Sequence, residues 1–390
     1  MRTRAPAKKV GVLFVLKNNG DHIRDPEFKG GTLLKKLETI TCEELMNTPM
    51  RPPLFFVGGL ITTGLYILAG SPKVGKSWLS LDICLSIAKG EKVLGVDTLK
   101  GTALYLCLED SLSRMQRRLY ALTNDPTDDL HLAIMAGTIK SGLVEQIETF
   151  IAEHPDTRII FIDTLQKVRE PSQDTAYASD YDDLSVLKSL ADRNNIAIVA
   201  VHHLRKTKSA DPFDMVSGTT AITGCADGEF ILHEKGRGTR EAVLYCTGRD
   251  IENKETELVF DKTTHRWKRT EPVEKEPDES IIFVDKTVGF MKERKHFKGN
   301  ATELIELLSP LFGDTLYANR ITRSLMQYAY LLTEHGVVVE SYRTGGKRYI
   351  EITYKEDNCD GSDGRKGMPV SAVPSVSENP QTLSQSGIPL

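Results

Sequence analysis

The stretch YILAGSPKVGKSWLSLDICLSIAKG, residues 66–90, passes from four apolar residues through a glycine-rich turn into an apolar-periodic run, so it reads as strand, loop and helix. Its centre satisfies GxxxxGK[ST] with Gly70, Gly75, Lys76 and Ser77. Glycines let the backbone curl until successive N–H groups face an anion, and the helix that follows adds its positive N-terminal end. Gly70, Ser71, Pro72, Lys73, Val74, Gly75, Lys76, Ser77 and Trp78 are therefore the expected nucleotide-binding set. Lys76 is expected to reach the β- and γ-phosphates of ATP and the Ser77 hydroxyl to face Mg²⁺. Lys73 reads either as a further phosphate charge or as a solvated lysine. A glycine-rich turn with a solvated Lys76 is the bland alternative, and the strand before and helix after argue against it.

Outward from this motif, residues 65–267 alternate short β-rich runs with amphipathic segments, the pattern of an α/β domain with a mainly parallel sheet. Strands are expected at 66–69, 103–108, 130–135, 159–162 and 196–201. The later runs 230–233, 242–247, 258–260 and 265–267 are joined by turns too short for helices, so they should pair antiparallel at one sheet edge.

Three strands end in polar residues. RIIFIDT (158–164) carries Asp163 at the tip of an apolar run, where a carboxylate is costly unless it meets a cation or donors. Asp163 is thus the expected partner of Mg²⁺, through water, with a turn cap as the alternative. ALYLCLED (103–110) ends in Glu109 and Asp110. Glu109 is the expected general base, with a solvated surface acid as the alternative, while Asp110 or Ser111 is suited to cap the helix whose apolar face is Leu112, Met115, Leu119 and Leu122. Arg114, Arg117 and Arg118 fall on its polar face. IAIVAV (196–201) leads into His202 and His203. An imidazole there can sense a γ-phosphate; His203 is the preferred member of the pair, and a histidine bonded to backbone is the alternative.

Residues from about 33 to 267 resemble the RepA-type hexameric DNA helicase family, a branch of the RecA/DnaB-like ATPases. The likeness is carried by PPLFFVGGLITTGLYILAGSPKVGKSWLSLDI (52–83), GTALYLCLEDSLSRMQRRL (101–119), IIFIDT (159–164) and AIVAVHHLRK (197–206). SGTTAITGCADGEFIL (217–232) and YCTGRDI (245–251) look like that family's ring-interface elements. The resemblance implies a RecA-like P-loop NTPase core, ATP and Mg²⁺, a homo-oligomeric ring such as a hexamer, and single-stranded DNA as the partner. One departure stands out: Ala226, Asp227 and Gly228 lie where the family places an interfacial arginine. Arg249 is then the expected trans-acting finger, with pairing to Asp250 as its alternative reading.

The flanks complete the expected layout: a flexible segment 1–30, an ATPase domain 31–270, a linker 271–280, a further domain 281–355 and a disordered tail 356–390. Within 281–355 eleven Lys or Arg face eight Asp or Glu, although the whole 390-residue chain carries a net charge of −4. Helices at 301–308 and 319–335 followed by strand, turn and strand over 337–354 predict a winged-helix-like domain, suited to duplex DNA or to a protein partner. Six cysteines without a CxxC pair suit a reducing cytoplasm. The basic residues before the apolar run 10–16 lack a following cleavage site, and no stretch approaches the roughly 18 apolar residues of a membrane span. A nucleotide-switched DNA-binding regulator is the rival function, and a small-molecule kinase the more distant one.

Overall fold

A computed structural model of the chain describes residues 39–355 apart from 51, 171–174, 206–208, 210, 237, 272–278, 313–317 and 345–346. The expected terminal segments 1–30 and 356–390 and most of the expected linker lie outside the described residues. Two compact units are present, one drawn from Arg51–Asp278, the other from Cys42–Met50 and Glu279–Leu390. The first helix, α1 (Cys42–Asn47), therefore goes with the second unit.

In the first unit β1 (Gly64–Gly70) is buried along its whole length and leads through the loop to α2 (Lys76–Lys89). There follow β2 (Thr102–Cys107), α3 (Leu112–Leu122), β3 (Leu130–Ala133), α4 (Leu143–Glu153), β4 (Thr157–Asp163), α5 (Ala176–Asn194), β5 (Ala197–His203) and α6 (Thr220–Cys225). The strands β6 (Gly228–Glu234), β7 (Glu241–Gly248), β8 (Lys254–Asp261) and β9 (Arg266–Arg269) close the unit. One sheet runs in the order β3-β2-β4-β5-β1-β6-β7-β8-β9. Alternate residues of its parallel strands feed two cores: Tyr66, Leu68, Tyr105, Phe161 and Val199 pack with Leu79 and Leu85 of α2, and Leu65, Ile67, Ile160 and Ile198 pack with Leu184 and Leu187 of α5.

The expected antiparallel edge needs one correction. Residues 230–233 lie in β6, which pairs parallel with β1 (Ile67 opposite Glu229) and antiparallel only with β7 (Phe230 opposite Cys246). The segment between β5 and β6 carries α6 and is long enough for a crossover, which a parallel return requires. Strands β7 to β9 are antiparallel as expected. β2 stops at Cys107, so Glu109 sits in the turn beyond the strand, and β3 ends at Ala133, short of the expected 135.

The second unit contains α7 (Glu279–Arg294), β10 (His296–Gly299), α8 (Ala301–Phe312), α9 (Ala318–Gln327), α10 (Ala329–Glu334), β11 (Val337–Thr344) and β12 (Lys347–Tyr354), with its sheet ordered β10-β12-β11. α7 starts inside the expected linker, and Phe283, Val284, Val288 and Met291 anchor it in a core with Leu304, Leu308, Ile321 and Leu325. The helix expected over 319–335 is divided at Tyr328, whose backbone leaves the helical region at φ −101° and ψ 11° while its ring packs on Phe283. Arg348 donates to the Asn47 side chain at 3.0 Å, which ties α1 to β12.

Glu229 on β6 is buried, and one of its carboxylate oxygens has no hydrogen-bond partner among the described residues. Burial pushes its pKa from the ordinary 4.5 up to about 7, and the nearby Asp211 charge pushes the same way. Between those two values the folded chain holds a proton that the unfolded chain has released, so stability falls as pH rises through that window. Glu229→Gln should leave Tm nearly unchanged at pH 4, below both values, and raise it at pH 8 by roughly 2–4 °C per kcal/mol recovered. Thermal melts at the two pH values check this, and an equal change at both contradicts it.

Candidate nucleotide site

The phosphate loop hangs between the buried end of β1 and the first turn of α2. A Cβ on Gly70 would stand 2.7 Å from the Leu232 carbonyl oxygen of β6, so only glycine lets the two strands lie side by side there. Gly75 adopts φ 105°, and a Cβ on it would stand 3.0 Å from the Trp267 indole nitrogen. That nitrogen donates to the Gly75 carbonyl at 3.3 Å, bringing β9 onto the loop. Lys73 is exposed with φ 67°, at the crest of the loop.

Lys76 is buried and its ammonium donates to the loop's own carbonyls, Gly70 at 2.7 Å and Ser71 at 3.1 Å. Burial lowers its pKa to about 8, against the opposing pull of the Asp163 and Glu109 charges. An amine so placed can exchange carbonyl partners for phosphate oxygens at little cost in reorganisation.

Asp163 ends β4, only 6% exposed, beside Cys107 at the end of β2. A carboxylate there loses hydration worth on the order of several kcal/mol unless donors replace the water. Two hydroxyls do so on a single oxygen: Ser77 Oγ donates to Oδ2 at 2.8 Å and Tyr105 donates to the same atom at 2.6 Å. Hydroxyl and carboxylate oxygens are the donor set that a hard divalent cation takes, so Ser77 and Asp163 fit Mg²⁺.

Glu109 is exposed in the turn after β2, and Thr164, the residue after Asp163, donates to it at 3.3 Å. Its neighbour Asp110 is engaged elsewhere, by Arg114 and by Arg118 at 2.6 Å. The cap of α3 falls to Ser111, which accepts from the Arg114 backbone N–H.

The two histidines at the end of β5 part company by strand alternation. His202 is buried toward α5, bonded to the Ser217 carbonyl at 2.9 Å, and burial lowers its pKa. His203 follows Val199 and Val201 onto the α2 side, opposite Gly70 in register, with Nδ1 unpartnered among the described residues. Trp78, in the first turn of α2, is held between the His265 ring at 5.2 Å and the Arg118 guanidinium at 5.6 Å.

Arg249 is not brought into this cluster. It follows β7, whose last residue Gly248 lies opposite Gly228 and hence beside Tyr66, near the start of β1. The loop leaves β1 at its other end, Gly70, roughly 13 Å from Tyr66 at the rise per residue of a strand. Its side chain is 60% exposed, 3.4 Å from Asp227 rather than paired with Asp250. Asp227 itself takes both oxygens to Lys188, at 2.6 and 2.5 Å, and accepts from the Leu65 backbone N–H at 3.0 Å. A structural staple thus occupies the place where the resembled family has its arginine.

Sequence reasoning missed Tyr105, Thr164 and Trp267. The signal for Tyr105 was present, since its hydroxyl is the one polar side-chain group in the run ALYL and a buried tyrosine needs an acceptor. Nothing local to Trp267 points to a loop some 190 positions earlier.

A mainly parallel sheet, a phosphate loop after one of its inner strands and acids at the neighbouring strand ends are the fold and site of a P-loop ATPase. The profile of the AAA domain family matches residues 34–209. The DNA repair protein RadA of Escherichia coli K12 is similar at 27% identity over 209 residues, 52% of this chain and 40% of that protein. RadA of Helicobacter pylori J99 is similar at 25% over 221 residues, 55% of this chain and 43% of that protein. The chain thus spans less than half the length of these curated relatives. A solved DnaB-like replicative helicase, studied with its interactions with primase, aligns with TM-score 0.43 and 15% identity over 53% of this chain and 57% of its own. Among the described residues no helix is long and apolar enough to cross a membrane.

Proposed function

We propose that the chain is a RepA-like, ring-forming motor that couples ATP hydrolysis to movement along single-stranded DNA. The observation that carries this reading is the position of Arg249, exposed at the sheet end opposite its own phosphate loop, where its charge serves a neighbouring copy better than its own subunit. The names of the two sequence relatives, both DNA repair proteins, favour DNA as the partner; the setting proposed for it, replication of a plasmid, phage or other mobile element, rests on the sequence resemblance alone.

In this mechanism Lys76 leaves the Gly70 and Ser71 carbonyls for the β- and γ-phosphates. Ser77, and Asp163 through water, would hold Mg²⁺, which would supply neutralisation of phosphate charge. Glu109, steadied by Thr164, orients the attacking water and takes its proton. His203 reads the γ-phosphate from β5, and Arg249 of the adjacent subunit meets the charge that develops on the transferred group. Lys73 and Trp78 border the loop. Within the second unit, residues 281–355, in the order helix, strand, three helices and two strands and with eleven Lys or Arg to eight Asp or Glu, are read as a winged-helix-like module that contacts duplex DNA or docks a partner.

ATP turnover of the full chain, measured alone, with single-stranded DNA and with duplex DNA, tests the function. Stimulation by single strands together with strand displacement is expected. Duplex binding without displacement would instead identify a nucleotide-switched regulator, and indifference to both would remove DNA from the reading. Glu109→Gln should bind ATP normally while turnover drops by about 10² or more, the scale for losing a general base; if Asp110→Asn has that effect and Glu109→Gln does not, the base is misassigned. Arg249→Ala should fold, bind ATP and assemble, with turnover reduced by up to about 10³. Mixing it with Lys76→Ala subunits should restore partial activity at mixed interfaces, and no recovery despite co-assembly excludes action in trans.

A further inference from the structure

We propose that Tyr105 is a positioning residue for the cation site: its hydroxyl fixes the rotation of the Asp163 carboxylate so that one oxygen stays turned to the metal's water. The inference rests on the reading of Asp163 as the residue that holds that water. Tyr105 lies in the middle of β2, fully buried, with its ring edge-on to Phe161 at 6.2 Å. A phenylalanine would fill the same space. The hydroxyl adds nothing to packing and carries a desolvation cost unless it is bonded. It donates to Asp163 Oδ2 at 2.6 Å, the oxygen that also receives Ser77 Oγ at 2.8 Å.

Among the described residues no donor reaches Oδ1, so both protein hydroxyls lie on one oxygen and leave the other for the metal's hydration shell. A carboxylate held by one donor can turn about its terminal torsion and exchange its oxygens, because that torsion is broad and roughly two-fold. Two donors converging on Oδ2 oppose the exchange. Their tasks differ, though. Ser77 belongs to the phosphate loop and its oxygen is also offered to the cation, so its hold on Asp163 is shared. Tyr105 comes from an inner strand paired on both sides, by β3 and β4, and its hydroxyl reaches the site only at Asp163 and Ser77. Groups that orient a ligand from behind are commonly worth 10–100-fold in metal affinity.

The test is isothermal calorimetry of ADP binding to the full chain, in EDTA and across a magnesium titration, with wild type, Tyr105→Phe and Asp163→Asn. Tyr105→Phe should bind ADP in EDTA as wild type does, while the magnesium concentration giving half of the metal-dependent gain in affinity rises about tenfold. Asp163→Asn should abolish that gain. A Tyr105→Phe midpoint equal to wild type, with the gain lost in Asp163→Asn, overturns the positioning role and leaves the reading of Asp163 standing. An intact gain in Asp163→Asn overturns that reading and the proposal with it. Equal weakening of Tyr105→Phe in EDTA and in magnesium marks a purely structural tyrosine and also overturns the proposal.

Discussion

Strands β2, β4, β5 and β1 are covered on both faces, so none of them can carry a free polar side chain until it leaves the sheet. Because they run parallel and in matched register, all four leave at the same edge. Cys107 stands beside Asp163, and Gly70 beside His203. Burial and parallel pairing together therefore gather Lys76, Glu109, Asp163 and His203, which are spread over more than a hundred positions of chain, at one rim. The phosphate-loop motif at the start of α2 lies on that same rim, so the layout of the candidate site follows from the topology rather than from any single residue.

Much of this was legible in the chain itself, because it is written in contiguous words. Strand, glycine loop and helix succeed one another within residues 66–90, and an acid closing an apolar run announces its own need for a partner. What was not legible depends on contacts made at a distance. The parallel pairing of β6 is decided by a crossover whose length had to be weighed against an apolar run that looks like its successors. The start of α7 lay hidden because charged residues on its N-terminal side dilute the spacing of Phe283, Val284, Val288 and Met291. The division between His202 and His203 needed only strand alternation, yet which face held the loop could not be known before α2 was placed.

The antiparallel strands look like an appendage in the sequence, but they bear directly on the loop. Arg266 of β9 forms a 2.8 Å ion pair with Asp82 in the middle of α2, and burial still holds the Asp82 pKa up at about 6. The next residue, Trp267, donates to Gly75. Two successive residues thus grip the helix and the loop from the last strand of the sheet, fixing the angle at which α2 presents its N-terminus. Only the Asp82 side of the pair is buried; Arg266 is partly exposed and lies 3.7 Å from Glu91 as well, so losing Arg266 would strand a buried carboxylate whereas losing Asp82 would leave the guanidinium another acid.

The chain has two tryptophans, Trp78 and Trp267. One is the residue after Ser77, stacked against His265 and beneath Arg118; the other is bonded to Gly75. Every indole in the molecule therefore borders the phosphate loop, and the intrinsic emission of the whole chain, excited at the red edge of protein absorption, originates at the candidate nucleotide site. The protein carries its own optical reporter of loop state, with no dye to attach and no background from elsewhere in the chain.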